Sequence, residues 1–316
     1  MSDEKGVFTI SLDTELAWGT FDKGNVERYE EAYRNTPAVI DQLCDIFDEY
    51  EIPATWAIVS HLLEDCDGDH SDRTSPDLEW VDDWFGELPC ASGMDKDLWY
   101  APWLMDRLQD CETEQEIGLH GSTHMQLGAD GCSRKQAEEE IKAAVETLQA
   151  HGVEPKSFVF PRNDVGHVDV LQEHGIKAYR GVDDRWYERG SIPNGVKPLL
   201  RFFYEAIRGT PPVVEPVDRD GVVEIPGSQV FRPSYDGWQY TPGESSVARA
   251  KKGLQRAVET GRVFHLWFHP FNLGHDIEQD LERVEQILES AANLCDDEKL
   301  ACLPMRKVVS RKKYRL

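Results

Sequence analysis

The period of apolar positions changes repeatedly along the chain, which predicts alternating strands and helices. Val7-Phe8-Thr9-Ile10-Ser11-Leu12 reads as a first strand ending at Asp13. Val39, Ile40, Leu43, Phe47 and Tyr50 then recur at helical spacing, with Thr36 as cap and Pro37 in the first turn. Residues 54–59, 117–119, 157–160, 177–180 and 263–268 read as further strands. Between them lie a helix opened by the capping-box pair Ser133 and Gln136, a short helix ending at Gly175, and a helix over about 244–261. Ile277, Leu281, Val284, Leu288 and Ala291 mark a last helix. Such alternation predicts an α/β fold with a parallel sheet or barrel, whose reactive residues gather beyond the C-terminal strand ends.

Two stretches break the rhythm: an acidic one at 64–103 with several Trp, and one at 183–245 rich in Pro, Gly and aromatic residues. Both read as long excursions over one end of a single domain spanning 1–316, with its core at about 6–310. No window of 18 apolar residues occurs, and Met1-Ser2-Asp3-Glu4-Lys5 does not open a leader, so a cytoplasmic location is expected. Seven scattered Cys without a CxxC pair suit reduced thiols, and speak against a zinc knuckle or a disulfide scaffold.

Charge alters this picture most. Acidic residues number 59 against 34 basic ones, a net of −25, and 20 of the basic residues are Arg. Such a field disfavours nucleic acid and anionic membranes as general partners. A Lys-poor acidic surface fits a protein kept hydrated in the cytoplasm of a salt-accumulating halophile. Against the trend, residues 306–316 carry six positive charges. They read as a tail that answers acidic patches of the same chain or an acidic partner, more than as a weak membrane contact.

Four constellations stand at or just past strand ends. Asp13 and Glu15 are two apart, so an extended chain turns both carboxylates to one side. His120 and His124 have the spacing that presents two imidazoles to one ion in a helical turn. Arg162, in Phe160-Pro161-Arg162-Asn163-Asp164, is suited to hold a carboxylate by a bidentate pair. Residues 264–270 hold His265 and His269 on one side of a strand, either of which could serve as an acid, with His269 nearer the strand's end.

In order and residue type these four segments resemble the polysaccharide deacetylases with a NodB-homology domain, in a subgroup with a D-x-E first segment, over about residues 6–310. The resemblance implies a distorted (β/α) barrel of about seven parallel strands. It implies Asp13 as catalytic base, Glu15, His120 and His124 as ligands of a divalent metal, most often zinc, Arg162 as the group positioning the base, and His269 as general acid. Asp183-Asp184-Arg185-Trp186 resembles the family's segment in which an acid and a Trp support the Arg. Trp18, Trp80, Trp84, Trp99, Trp103, Trp186 and Trp267 are candidate walls for a sugar ring. The activity implied is hydrolysis of the N-acyl group of an amino sugar, nucleotide- or lipid-linked if the protein is cytoplasmic. Deformylation, hydrolysis of a non-sugar amide or cyclic ureide, and non-catalytic glycan or partner binding are the alternatives.

Overall fold

The computed structural model describes residues 5–71, 73–90, 95–183, 196–233 and 244–311. Its centre is the first strand, β1 (Gly6–Thr14), buried along its whole length. Continuous burial is what a Val/Phe/Ile/Leu-rich strand with small polar residues between allows in a sheet covered on both faces. β2 (Thr55–Ile58), β3 (Glu116–Leu119), β4 (Ser157–Val159) and β5 (Ala178–Gly181) follow on one side, each parallel to its neighbour. β6 (Val217–Arg219) and β7 (Val222–Pro226) form a hairpin whose second strand pairs with β5. On the other side of β1 lie β9 (Val263–Phe268) and the two-residue β8 (Gln229–Val230). β10 (Leu300–Cys302) pairs with the start of β1. The result is a curled, mainly parallel half-barrel, with nine strands in one path and β10 beside it.

The periodic segments became the expected elements, and the short strands β6, β7, β8 and β10 were additional to them. Two-to-five-residue strands lack the periodicity that identifies longer ones. The first helix also differs from its expected start. α1 runs from Val26 to Glu49, with Pro37 inside it. Its buried face continues on both sides of the proline, through Ala32, Tyr33 and Thr36 and then Val39, Ile40 and Leu43, so packing outweighs the lost hydrogen bond. α2 (Leu104–Gln109) precedes β3, and α3 (Arg134–Ala150) opens with the Ser133–Gln136 capping box. α4 (Val168–Glu173) ends before Gly175 at φ 80°, a left-handed turn that suits glycine. α5 (Lys197–Ala206) belongs to the second excursion, and α6 (Ser245–Thr260) and α7 (Ile277–Asp296) pack on each other.

The barrel floor is closed by α8 (Met305–Val308), whose Met305 and Val308 pack with Val7, Ala57, Val159, Ile225 and Val263. The buried Glu116 carboxylate anchors this plug, accepting hydrogen bonds from Thr55 Oγ1 (2.8 Å), Ser157 Oγ (2.6 Å) and the backbone N–H of Arg306 (3.0 Å). Arg306 and Lys307 both pair with Glu114, and Arg311 donates to the Lys5 carbonyl. The described part of the basic tail is thus engaged within the chain, while residues 312–316 lie outside the described residues.

Candidate metal and acid–base site

Above the opposite, C-terminal strand ends the chain assembles a buried cluster of charge. β1 delivers Asp13, and the turn after it delivers Glu15, both nearly inaccessible. His120 follows β3 and His124 lies four residues on, but no helical turn joins them. Gly121 at φ 82° and His124 at φ 64° fold the segment into an irregular loop that brings the two rings to 4.9 Å. Buried Glu140 of α3 shapes this loop by accepting from the Thr123 N–H (2.6 Å), the Thr123 hydroxyl and the Met125 N–H.

Both imidazoles converge on one carboxylate oxygen. Glu15 Oε2 lies 3.0 Å from His120 Nε2 and 3.1 Å from His124 Nε2. His120 Nδ1 donates to the Val159 carbonyl at 2.8 Å, so in a neutral ring its Nε2 points a lone pair at that oxygen. A lone pair facing a carboxylate oxygen requires a positive charge between them, supplied by a proton or by a cation. The spacing is close to the edge, about 3.3 Å, of a tetrahedron with ligand bonds near 2 Å. Glu15, His120 and His124 therefore fit a divalent ion in donor type and in separation.

Asp13 has another partner. Arg180, on β5 and fully buried, grips it with two hydrogen bonds, Nη1–Oδ1 at 2.5 Å and Nη2–Oδ2 at 2.6 Å. The guanidinium also donates to Ser11 Oγ and to Asn163 Oδ1 (2.9 Å), and stacks at 4.1 Å on the Trp267 ring. Trp267 Nε1 in turn donates to Asp183 Oδ1 at 2.9 Å. Burial works against the ionised Asp13, but Arg180, with His269 and His120, outweighs it and holds the carboxyl below its ordinary value. For Glu15, burial is outweighed by the three His, and the carboxyl sits well below the usual range.

Arg162 is thus not the residue that holds Asp13. Its Nη2 pairs with the buried Asp22 at 2.5 Å and donates to the Gly19 carbonyl. The β4 end turns through a left-handed Arg162 and Asn163, φ 57° and 56°, which leaves Asn163 on the Arg180 side. The signal for Arg180 was a cation inside an apolar strand, where an unpaired charge is costly.

The two late histidines separate clearly. His265 is fully buried, with Nε2 at 2.9 Å from Ser11 Oγ and Nδ1 at 3.3 Å from the Ile225 carbonyl, and burial lowers its pKa to about 4. His269 is 24% exposed and stands over both acids, its Nε2 3.7 Å from Asp13 Oδ2 and 3.5 Å from Glu15 Oε1.

A model of the polysaccharide deacetylase family matches residues 11–179, more than half of the 316. The chain belongs to the polysaccharide deacetylase family. Membership implies a hydrolase of the kind that deacetylates carbohydrates. Solved structures share the fold at low identity. A protein from Mycobacterium smegmatis assigned to the polysaccharide deacetylases superposes with TM-score 0.62 at 14% identity, over 98% of this chain and 91% of that one. Another so assigned, from Pseudomonas aeruginosa PAO1, gives 0.60 at 12% over 99% and 94%. The allantoinase PuuE gives 0.59 at 11% over 98% and 92%. No curated protein matches this chain by sequence.

In this polysaccharide deacetylase fold the tryptophans divide. Trp18 and Trp84 are fully buried, Trp84 donating to Thr123 Oγ1, so they pack the site from behind and offer no face to a sugar. Trp99 is 4% exposed, its carbonyl accepting from Trp18 Nε1, and Trp267 is occupied by Arg180. Half-buried Trp103 lines a small space shared with Asp13 and Glu15. Trp80, 44% exposed, edges a cleft of about 580 Å³ with Phe21, Asp22, Leu88 and Trp99. Trp186 lies outside the described residues. No helix among the described residues is long and apolar enough to cross a membrane.

Proposed function

We propose that this chain is a metal-dependent hydrolase, one catalytic domain, that removes the N-acyl group, acetyl in the simplest case, of an amino sugar. The observation that carries the reading is the division of labour between two neighbouring carboxylates. Glu15 is shared by two imidazoles and suits a cation, whereas Asp13 is turned by the Arg180 fork and kept ionised chiefly by it, as a general base must be. A bound divalent ion, zinc by its donors, would polarise the amide carbonyl and acidify water. Asp13 then accepts the water's proton. His269, beside both acids and open to solvent, gives a proton to the departing amine nitrogen, without which the C–N bond breaks slowly. Arg180 positions Asp13 by its fork, and Asn163, Ser11 and Trp267 hold the fork. The Trp80 cleft, bordered by the Asp22 that pairs with Arg162, offers aromatic faces to further sugar units.

The acidic surface favours a nucleotide- or lipid-linked sugar in a salt-rich cytoplasm, on whose N-acyl group the D-x-E first segment would act. The same D-x-E segment favours a second reading, opening of a cyclic ureide at the same site. Acetate release from nucleotide- and lipid-linked N-acetyl sugars in molar KCl, run beside N-formyl sugars and allantoin, separates the two. In Asp13→Asn, turnover should fall about 10²–10⁴-fold while zinc content stays at the wild-type value. Turnover within tenfold of wild type would refute Asp13 as the base.

A further inference from the structure

A second group of metal-type donors, apart from the site just described, joins His61 to three residues of the acidic excursion at 64–103. His61 Nε2 stands 3.2 Å from Cys90 Sγ, His70 Nε2 stands 3.4 Å from Cys66 Sγ, and the same His70 nitrogen is 3.4 Å from Cys90 Sγ. All four donor atoms lie within 4.8 Å of one another. With zinc bonds of about 2.3 Å to sulfur and 2.0–2.1 Å to nitrogen, a tetrahedral S–N edge is about 3.5 Å. Two thiolates and two neutral imidazoles are a borderline-soft donor set that suits zinc rather than calcium or magnesium. The outer groups also match a metal-bound histidine. His61 Nδ1 lies 2.8 Å from Glu64 Oε2, and Glu64 accepts from the Thr147 hydroxyl of α3 at 2.8 Å, so a carboxylate stands beside Nδ1 while Nε2 is turned to the sulfurs.

We propose that His61, Cys66, His70 and Cys90 bind a structural zinc ion that clamps the 64–103 excursion onto the barrel. Four protein ligands close the coordination sphere and leave no position for substrate, so the role is mechanical. What it braces is the catalytic loop. The backbone N–H groups of Ser60 and His61 donate to the carbonyls of Gly121 and Ser122, between the two catalytic histidines, at 3.0 Å each. The His61 ring meets Trp18 edge-on at 4.9 Å, and Trp18 lies in the turn that follows Glu15. Arg73, carried by the excursion between the second and third proposed ligands on one side and Cys90 on the other, pairs with Glu140 and donates to Ser122 Oγ at 3.3 Å. Cys66 and His70 are partly accessible, which gives an ion a way in, whereas His61 and Cys90 are buried.

The test uses the full chain and metal content, with no need for a substrate. Wild type purified with zinc should hold two equivalents, and both the His120→Ala/His124→Ala and the Cys66→Ser/Cys90→Ser double variants should hold one. Cobalt in place of zinc should give a thiolate-to-metal charge-transfer band in wild type and in the His120/His124 variant, because the catalytic site has no sulfur donor. A wild type without that band, or with Cys66 and Cys90 freely alkylated in the folded state, overturns the proposal. A Cys66–Cys90 disulfide in the purified protein overturns it as well. If the cysteine variant does not fold, the wild-type and His120/His124 proteins decide by count and spectrum. A band that persists while the His120/His124 variant loses no zinc sinks the catalytic metal reading and leaves this one standing.

Discussion

Two clusters with similar donor spacings stand in this molecule, joined through Trp18 and the backbone of residues 60–61, and their chemistry differs in what surrounds them. At the first, one carboxylate and two imidazoles leave a position open, and beside them stand an ionised Asp13 and a partly exposed His269. At the second, four donors including two sulfurs close on one another, and the neighbouring groups brace the fold: Glu64, Trp18, and the backbone of residues 60–61. Donor geometry alone says that a cation fits. Reactivity is decided by an unfilled position and by a base and an acid within reach.

The comparison breaks if the two sites respond alike to loss of their donors. His124→Ala should lower kcat/KM by at least about 10³-fold, with a small change in thermal midpoint, since a bound ion lowers the barrier by several kcal/mol. Cys66→Ser/Cys90→Ser should do the reverse, lowering the midpoint by roughly 5–10 °C with a much smaller loss of activity. That range corresponds to about 3 kcal/mol in a domain of this size. Steady-state kinetics and calorimetry on both variants would show whether the roles are separate.

Within the first cluster the two arginines supply a sharper contrast. Arg180→Lys keeps a charge but loses the fork, and should cut kcat about 10²-fold and move the acid limb of the pH–rate profile upward, because Asp13 loses the partner that keeps it ionised. Arg162→Lys should change kcat by less than about fivefold, with any larger effect in KM, because its partner is Asp22 at the Trp80 cleft. Equal kcat losses in the two variants would contradict the assignment of the positioning role to Arg180.

A separate effect, on stability alone, concerns the fully buried His265. His265 titrates near 4 in the fold and near 6.5 when unfolded, so between those values the unfolded chain takes up a proton that the native one does not. Stability should therefore be undiminished above about pH 6.5 and fall on the order of 3 kcal/mol as pH drops through about 4. In His265→Asn this contribution to the acid slope should be missing, as urea titrations across pH 4–7 would reveal.

Much of the first cluster was legible because its spacings are local. Asp13 lies near the end of β1 with Glu15 just past it, His120 follows a strand end, and His269 directly follows β9. The helical turn read into His120–His124 was not needed, since a left-handed His124 and Glu140 achieve the same convergence. Arg180 escaped because its contact with Asp13 spans 167 residues, whereas Arg162 had the more suggestive neighbours, of which Asn163 proved to be the contributor. The second cluster was illegible for the same reason. His61, Cys66, His70 and Cys90 are spaced by the path of an irregular excursion, and no period of helix or strand relates them. The scattering of seven cysteines without a CxxC pair suits reduced thiols and speaks against a zinc knuckle, yet two of them meet two histidines.

The seat of β1 in the sheet has a consequence for how the chain is made. Its neighbours are β2 on one side, β9 along most of the other, and β10 at its foot. A ribosome delivers this apolar strand well before its partners at residues 263–268 and 300–302. At about 5–20 residues per second, that leaves β1 without half of its pairing for some tens of seconds. An apolar strand held that long without its partners is open to aggregation, and a chaperone that covers residues 6–14 should raise the yield of folded protein.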